Sequence, residues 1–421
     1  MADSTPPTVG ILVGGGPAPG INGVISAATI EARNRGLRVI GLMHGFEWLV
    51  KKDITHIREL DINDVSRVHL RGGSILRTAR ENPTTDPGKM KNVIDALGEL
   101  GINYLITIGG DDTAYSAQRI EAEAQGRVKV VHVPKTIDND LPLPGLTPTF
   151  GFTTAVQVGV SIVATLMEDA RTTARWYIVV AMGRKAGHLA LGIGKAAGAT
   201  VTLIGEDFRS GKIPLREIGD ILEGSILKRE TMGRPYGVAV VAEGLAERMD
   251  AAELEDLKDV ERDEHGHIRL AEVDLGRLLQ GELKRRLKAR GLKRTIVSKD
   301  VGYELRCAAP VTYDLEYTRD LGYGAVKLLM SGGTGAMVTI QAGRLVPMYF
   351  AELPDPATGR TRVRYVNTET ESYEAAAKYM IRLCRPDFED PAKLAKLAEV
   401  AKTDPSTFEK QFGYLGRRYR W

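Results

Sequence analysis

Cysteine is nearly missing from this 421-residue chain, which carries only Cys307 and Cys384. Two thiols build neither a disulfide framework nor a cysteine-based zinc site. Long apolar runs are missing too, so no segment suffices to span a bilayer. The polar start, Met1 to Pro7, lacks the basic and apolar stretches of a secretory signal. These absences predict a reducing, cytoplasmic setting and no membrane partner. A surplus of one charge is also absent: 57 Lys and Arg face 54 Asp and Glu, for a net +3. That balance argues against a broad nucleic-acid footprint. The basic and aromatic last residues, Gly416 to Trp421, read instead as a solvated tail that docks its aromatics.

What is present is an ordinary globular composition, 43% hydrophobic and 26% charged, on a chain long enough for two domains. Val9 to Val13 is a short apolar run that ends in glycines and reads as a buried strand. Ile21 to Arg35 has helical apolar spacing, with Gly36 as a C-cap, and Leu37 to Leu42 is the next strand. The alternation continues with a helix over Val93 to Leu100, a strand over Tyr104 to Ile108, a helix over Thr113 to Ala124 and a strand over Val128 to Val133. A second series follows: helices over Val156 to Asp169 and Leu189 to Ala197, strands over Trp176 to Ala181, Thr200 to Ile204 and Tyr236 to Ala242. Alternating strands and helices imply parallel sheets covered on both faces. The expectation is an α/β fold of two Rossmann-like, three-layer α/β/α domains with mostly parallel sheets and a helical C-terminal appendage. The boundaries expected are residues 1–150, 151–350 and 351–421, with part of 255–305 packing back on the first domain. The charged stretch Ala251 to Arg269 reads as a surface excursion, and the Lys- and Arg-rich run Leu283 to Arg294 as a solvated helix face.

Polar motifs sit where strands end, at Gly14, Asp111, Asp138, Met182 and Glu243. Ligands of open α/β sheets bind at the carboxyl ends of strands, so the five predict one composite site. Gly14 to Gly20 joins a strand to a helix, where backbone N–H groups can meet a phosphate. Its spacing fits neither the dinucleotide fingerprint nor the P-loop, and a tight turn without a ligand explains it equally well. Gly109-Gly110-Asp111-Asp112-Thr113 repeats the geometry with two acids. One of them can hold Mg²⁺, which favours a carboxylate or two plus substrate phosphate oxygens. A helix N-cap alone needs no glycine pair and a single acid. In Pro134-Lys135-Thr136-Ile137-Asp138-Asn139-Asp140, Asp138 or Asp140 can accept the proton of a sugar hydroxyl, and Lys135 can neutralise phosphate. An Asx-rich turn is the other reading of that stretch. Three further features have structural readings. His188 starts a helix, Glu206-Asp207 either caps a helix or touches an effector, and Gly332 to Gly335 makes a surface turn.

Taken together, Gly15 to Asn22, Gly72 to Arg80, Gly109 to Thr113, Lys135 to Asp140, Gly151 to Ala155, Arg175, Met182 to Arg184, Glu243-Gly244 and Tyr303 to Arg306 resemble the 6-phosphofructokinase family. The match runs from about Val9 to Met330. The resemblance implies transfer of a phosphoryl group to the 1-hydroxyl of fructose 6-phosphate. It makes Asp138 the base at that hydroxyl and Asp111 the residue holding Mg²⁺. Asp112, Lys135 and Arg184 join Asp138 as the catalytic set. Thr136, Ile137, Asp140, Met182, Gly183, Arg184 and Glu243 fall to the sugar phosphate. Arg306 and Tyr303 fall to its 6-phosphate, and Gly15 and Arg80 to the donor phosphate. Arg175 corresponds to an arginine that reaches a neighbouring subunit's site, which implies a homodimer or homotetramer.

Members of the family that use ATP usually carry glycine where this chain has Asp112 and Lys135. An aspartate side chain fills the room an α-phosphate needs and repels its charge, whereas a lysine can contact a leaving phosphate. The resemblance therefore points to pyrophosphate as donor, and Pro17, where ATP users often carry aspartate, points the same way. Further departures fall on Tyr303, Cys307 and Ala308, where ATP users have histidine and glycines. Val297 stands in place of an arginine that Lys299 or Arg294 can replace. The rival readings are an ATP-dependent member and a phosphate sensor without catalysis.

Overall fold

The computed structural model describes residues 6–208, 211–250, 253, 273–353 and 362–418. In chain order its strands are β1 (Thr8–Val13), β2 (Arg38–Leu42), β3 (Ile57–Glu59), β4 (Ile102–Gly109), β5 (Lys129–Pro134), β6 (Trp176–Ala181), β7 (Val201–Leu203), β8 (Gly237–Ala242), β9 (Ile296–Val301), β10 (Ala336–Gln341) and β11 (Arg344–Tyr349). They form two sheets, and the chain divides into two compact units. No helix of the described residues is long and apolar enough to cross a membrane.

The first unit joins Met1–Ala155 to Tyr303–Arg364. Its seven-stranded sheet runs β11-β10-β5-β4-β1-β2-β3. The five central strands are parallel, and β3 and β11 pair antiparallel at the edges. Every residue of β1 is buried, as a strand covered on both faces requires. On one face Leu12, Ile40 and Leu105 pack with Met90, Val93 and Leu97 of helix Pro87–Glu99 and with Ala114 and Ala117 of helix Asp111–Ala124. Helix Ile21–Asn34 meets helix Thr312–Met330 closely. A Cβ on Gly322 would lie 2.5 Å from the carbonyl oxygen of Val24, so only glycine permits the approach.

The second unit joins Val156–Gly302 to Tyr365–Trp421. Its four strands run β7-β8-β6-β9, all parallel. Their apolar residues share one core with Phe408, Phe412 and Leu415 of the last helix, Pro405–Arg418. The α/β class, the two mainly parallel sheets and the C-terminal helices are as the sequence predicts.

The units are discontinuous, unlike the three consecutive segments expected. The return of residues 303–364 to the first unit follows from pairing: Ala336 and Met337 of β10 lie in register with Val131 and His132 of β5. The C-terminal helices pack into the second unit. Phe408 and Phe412 are one turn apart and fully buried in the core of the second unit. Within the span 255–305, residues 255–272 lie outside the described ones, and residues 273–302 belong to the second unit. The expected excursion Ala251 to Arg269 also lies outside them, apart from Glu253.

Helix Leu275–Ala289 corrects another expectation. Arg286 is not solvated: its guanidinium is 10% exposed and lies 2.6 Å from Asp220 and 3.2 Å from Glu223, both 1% exposed. Arg290 adds a 2.6 Å bridge to Glu223, and the Tyr414 hydroxyl donates to Asp220 at 2.9 Å. Arg286 and Arg290 thus face two buried carboxylates on helix Leu215–Thr231, whereas Lys284, Arg285 and Lys288 are exposed as expected. Gly332 to Gly335 does form a turn, with left-handed φ values of 90° and 66° at its two ends.

Candidate active site

In the first unit, β5, β4 and β1 are neighbours, so the loops that follow them stand side by side. Gly14 N–H donates to Ile108 O at 2.9 Å, and Lys135 N–H donates to Gly109 O at 2.7 Å. The Thr113 side chain wedges between the glycine loops: a Cβ on Gly14 or on Gly109 would lie within 2.4 Å of its hydroxyl oxygen. The structure thus brings together Gly15, Asp111, Asp112, Lys135 and Asp138 from three predicted motifs.

The Gly15–Gly16 loop has partners on both sides. Gly15 N–H donates to Ala79 O at 2.8 Å, and the Thr78 hydroxyl donates to Gly15 O. This places exposed Arg80 directly after the residues that support the glycine loop. The buried Lys135 ammonium donates to Gly16 O. Arg306 approaches the same loop: its Nη2 would lie 1.6 Å from a Cβ on Gly16, and its Nε lies 3.5 Å from Pro17 O. Two cations therefore border the glycine loop. Tyr303, 76% exposed, lies with its ring 5.4 Å from the Arg306 guanidinium.

Asp111 and Asp112 open helix Asp111–Ala124, whose N-cap is Gly110. Carboxylates there meet the positive end of the helix dipole. Asp112 is exposed and Asp111 half-buried. Among the described residues no group of three or more His, Cys, Asp or Glu side chains could hold a metal alone. A cation beside Asp111 would have to be completed by water and substrate oxygens, which is how Mg²⁺ is usually bound.

The stretch after β5 is buried at Lys135, Ile137, Asp138 and Asn139, while Thr136 and Asp140 are half-buried. Asp138 N–H donates to the Thr136 hydroxyl at 3.0 Å. Asn139 has a left-handed φ of 58°. Thr149 ties the stretch together, donating from its N–H to Asn139 Oδ1 at 3.0 Å and from its hydroxyl to Thr136 O at 2.7 Å. Asp314, fully buried, accepts from Gly151 N–H and Thr154 N–H at 2.9 Å each. Burial raises its carboxyl pKa against those bonds. Neither Thr149, Asp314 nor buried His132 carries a motif signal. Asp314 meets its partners across about 160 residues, and no spacing reveals the pairing.

In the second unit, β6 and β8 are neighbours, and Met182 to Arg184 and Glu243 follow their carboxyl ends. Glu243 Oε1 accepts from Gly183 N–H at 3.0 Å and Arg184 N–H at 2.7 Å. The glutamate thus shapes the turn, and Arg184 is exposed with a φ of 49°. Arg175 precedes β6, at the opposite end of the strand, about 20 Å away by strand rise. The unit does not bring it to Met182–Arg184. Glu206 resolves to a cap: its Oε1 accepts from Gly187 N–H at 2.9 Å, ahead of helix His188–Ala197. Arg294 grips Glu230 with Nε at 2.5 Å and Nη2 at 2.7 Å, whereas Lys299 is exposed on β9.

A family model described as Phosphofructokinase matches residues 8–329. The chain is 53% identical over 409 residues to a pyrophosphate--fructose 6-phosphate 1-phosphotransferase of Thermotoga maritima, over 96% of this chain and 97% of that one. It is 50% identical over 418 residues to a protein of the same name from Naegleria fowleri, over 97% and 96%. Among solved structures, a pyrophosphate-dependent phosphofructokinase from Nitrosospira multiformis matches with a TM-score of 0.67 at 17% identity, over 90% of this chain and 92% of that one. A likeness at that identity speaks for the fold alone.

Proposed function

The chain belongs to the phosphofructokinase family, and from that premise we infer that it moves a phosphoryl group from pyrophosphate to the 1-hydroxyl of fructose 6-phosphate. The products are fructose 1,6-bisphosphate and phosphate, a step of glycolysis. The Thermotoga maritima and Naegleria fowleri relatives carry this activity in their names and align over nearly their whole length.

The observation that carries the donor assignment is the Lys135 ammonium seated on the Gly15–Gly16 loop. With Asp112 at the neighbouring helix start, it fills the side of the loop along which an α-phosphate and ribose would pass. A cation at that point suits a short donor whose leaving group is phosphate. Asp138 takes the proton of the sugar hydroxyl as the new P–O bond forms and the bridging P–O bond breaks. Asp111 is the residue that would hold Mg²⁺, which when bound would neutralise charge on the transferred group. Lys135 and Arg80 supply fixed positive charge in addition. By the family resemblance the sugar phosphate falls to Thr136, Ile137, Asp140, Met182, Gly183, Arg184 and Glu243, and its 6-phosphate to Tyr303 and Arg306. Arg175 serves a neighbouring subunit of a homodimer or homotetramer.

Initial rates with each donor at saturating sugar phosphate test the reading. Pyrophosphate supports turnover, and Asp112→Gly, alone or with Lys135→Gly, abolishes it. Faster turnover with ATP, or retained pyrophosphate activity in the double variant, overturns the donor assignment. Asp138→Asn lowers kcat by on the order of 10²–10⁴.

A further inference from the structure

We infer that Arg364 is a positioning residue for the turn Asp138–Asp140, fixing from behind the carboxylate that receives the sugar's proton. The inference rests on Asp138 being that base. Arg364 lies beyond residue 329, where the family match ends, so the clamp comes from a segment outside the shared motifs.

The turn needs a clamp. Asn139 sits in the left-handed region, which asparagine enters more readily than most residues but which must still be selected over its extended and helical alternatives. Arg364 supplies most of that constraint. Its Nε donates to Asn139 O at 3.0 Å, its Nη1 donates to Thr147 O at 2.9 Å, and its Nη2 donates to Asn139 Oδ1. Its own backbone N–H donates to Asp140 O at 2.7 Å. One residue thereby holds the carbonyls of Asn139 and Asp140, and ties them to Thr147 in the same loop. The planar guanidinium makes these bonds with a pre-set fork, which an ammonium cannot copy.

The contacts fall on main-chain atoms next to the base. On its other flank the Thr136 hydroxyl accepts from Asp138 N–H, and Thr149 holds Thr136 O. The Asp138 carboxylate is therefore aimed by two restrained neighbours. Asp138 and Asn139 are 7% and 8% exposed, so solvent offers the turn no substitute partners. Rotation of the 139 peptide would swing the carboxylate, and misplacement by about an ångström can cost on the order of 100-fold in rate.

Steady-state kinetics of full-length Arg364→Ala and Arg364→Lys test this. For Arg364→Ala, kcat falls by at least about tenfold, while KM for fructose 6-phosphate and for pyrophosphate stays within about threefold. Arg364→Lys recovers part of the loss. Millimolar guanidinium raises kcat of Arg364→Ala and leaves Asp138→Asn unchanged. The inference fails if Arg364→Ala keeps kcat within about twofold, or if its loss tracks the folded fraction by circular dichroism and guanidinium brings no recovery. Asp138→Asn separates the two levels. An inactive Asp138→Asn beside an unaffected Arg364→Ala overturns the clamp alone. Full activity of Asp138→Asn overturns the base and the clamp with it.

Discussion

His132 shows how a site residue can matter without touching substrate. It is fully buried on β5 beneath the acidic loop, and its Nε2–H donates to Gly109 O at 3.0 Å, since a carbonyl can only accept. The Thr107 hydroxyl fills Nδ1 at 2.8 Å. Gly109 O also receives Lys135 N–H, so one neutral imidazole braces the junction of both motifs. Burial pulls its pKa down to about 3, against the Gly109 bond, and the Lys135 charge adds to the fall. The sign follows. An unfolded histidine takes up a proton below about pH 6.5 while the folded one does not, so stability falls as pH drops from there toward 3. From this group the loss reaches about 2 kcal/mol at pH 5. In urea unfolding at pH 7.5, 6 and 5, His132→Gln should keep a donor for Gly109 and show a flatter loss, whereas an unchanged slope would assign the loss elsewhere. Residues such as this and Arg364 are silent in sequence. Arg364 meets Asn139 across a separation of 225 residues, and only the fold supplies that pairing. The glycine loops and acid pairs are legible because their chemistry is local.

Elements were legible in proportion to how uniformly they are buried. β1, β6 and β8 are buried at every residue and read as apolar runs. β9 and β11 are half-exposed, and β11 carries Pro347, so neither offers a clean apolar or alternating pattern. The basic run of helix Leu275–Ala289 misleads for a different reason: charge suggests solvent until its partners are known. Asp220 and Glu223 are buried on the facing helix, and Arg286 compensates both. Removing one partner of such a group leaves an unpaired buried charge and typically costs about 3–5 kcal/mol. Arg286→Met should therefore lower the urea midpoint markedly. Asp220→Asn in the same background should restore part of the loss, because the charge left behind is gone. A single variant as stable as the parent would mean the bridge is held at no net gain. The same helix pair anchors the last helix through Tyr414 and Gln411, so deleting the chain from Pro405 onward should destabilise this unit as well.

At the scale of the whole molecule the open matter is where Arg175 acts. It precedes β6, whereas Met182 to Arg184 follow the strand's other end, so the rigid strand itself keeps the two groups apart within one unit. Its guanidinium is 36% exposed, with Nε 3.9 Å from Asp169. Under the proposed assignment, an arginine held a strand's length from Met182 to Arg184 is best used by a second copy of the chain. Closed homo-oligomers place such residues reciprocally, each subunit completing the other's site. Mixing defective subunits tests this. Arg175→Ala and Asp138→Asn are each prepared, combined under dissociating conditions and reassembled with distinct tags. A mixed oligomer then contains a site whose Asp138 comes from one chain and whose Arg175 comes from the other, so activity reappears. For a randomly mixed dimer the recovery is about one quarter of the parent's, since half the dimers are mixed and one site in each is intact. If Arg175 served its own chain, every site in the mixture would keep a defect, and doubly tagged oligomers would be no more active than their parents.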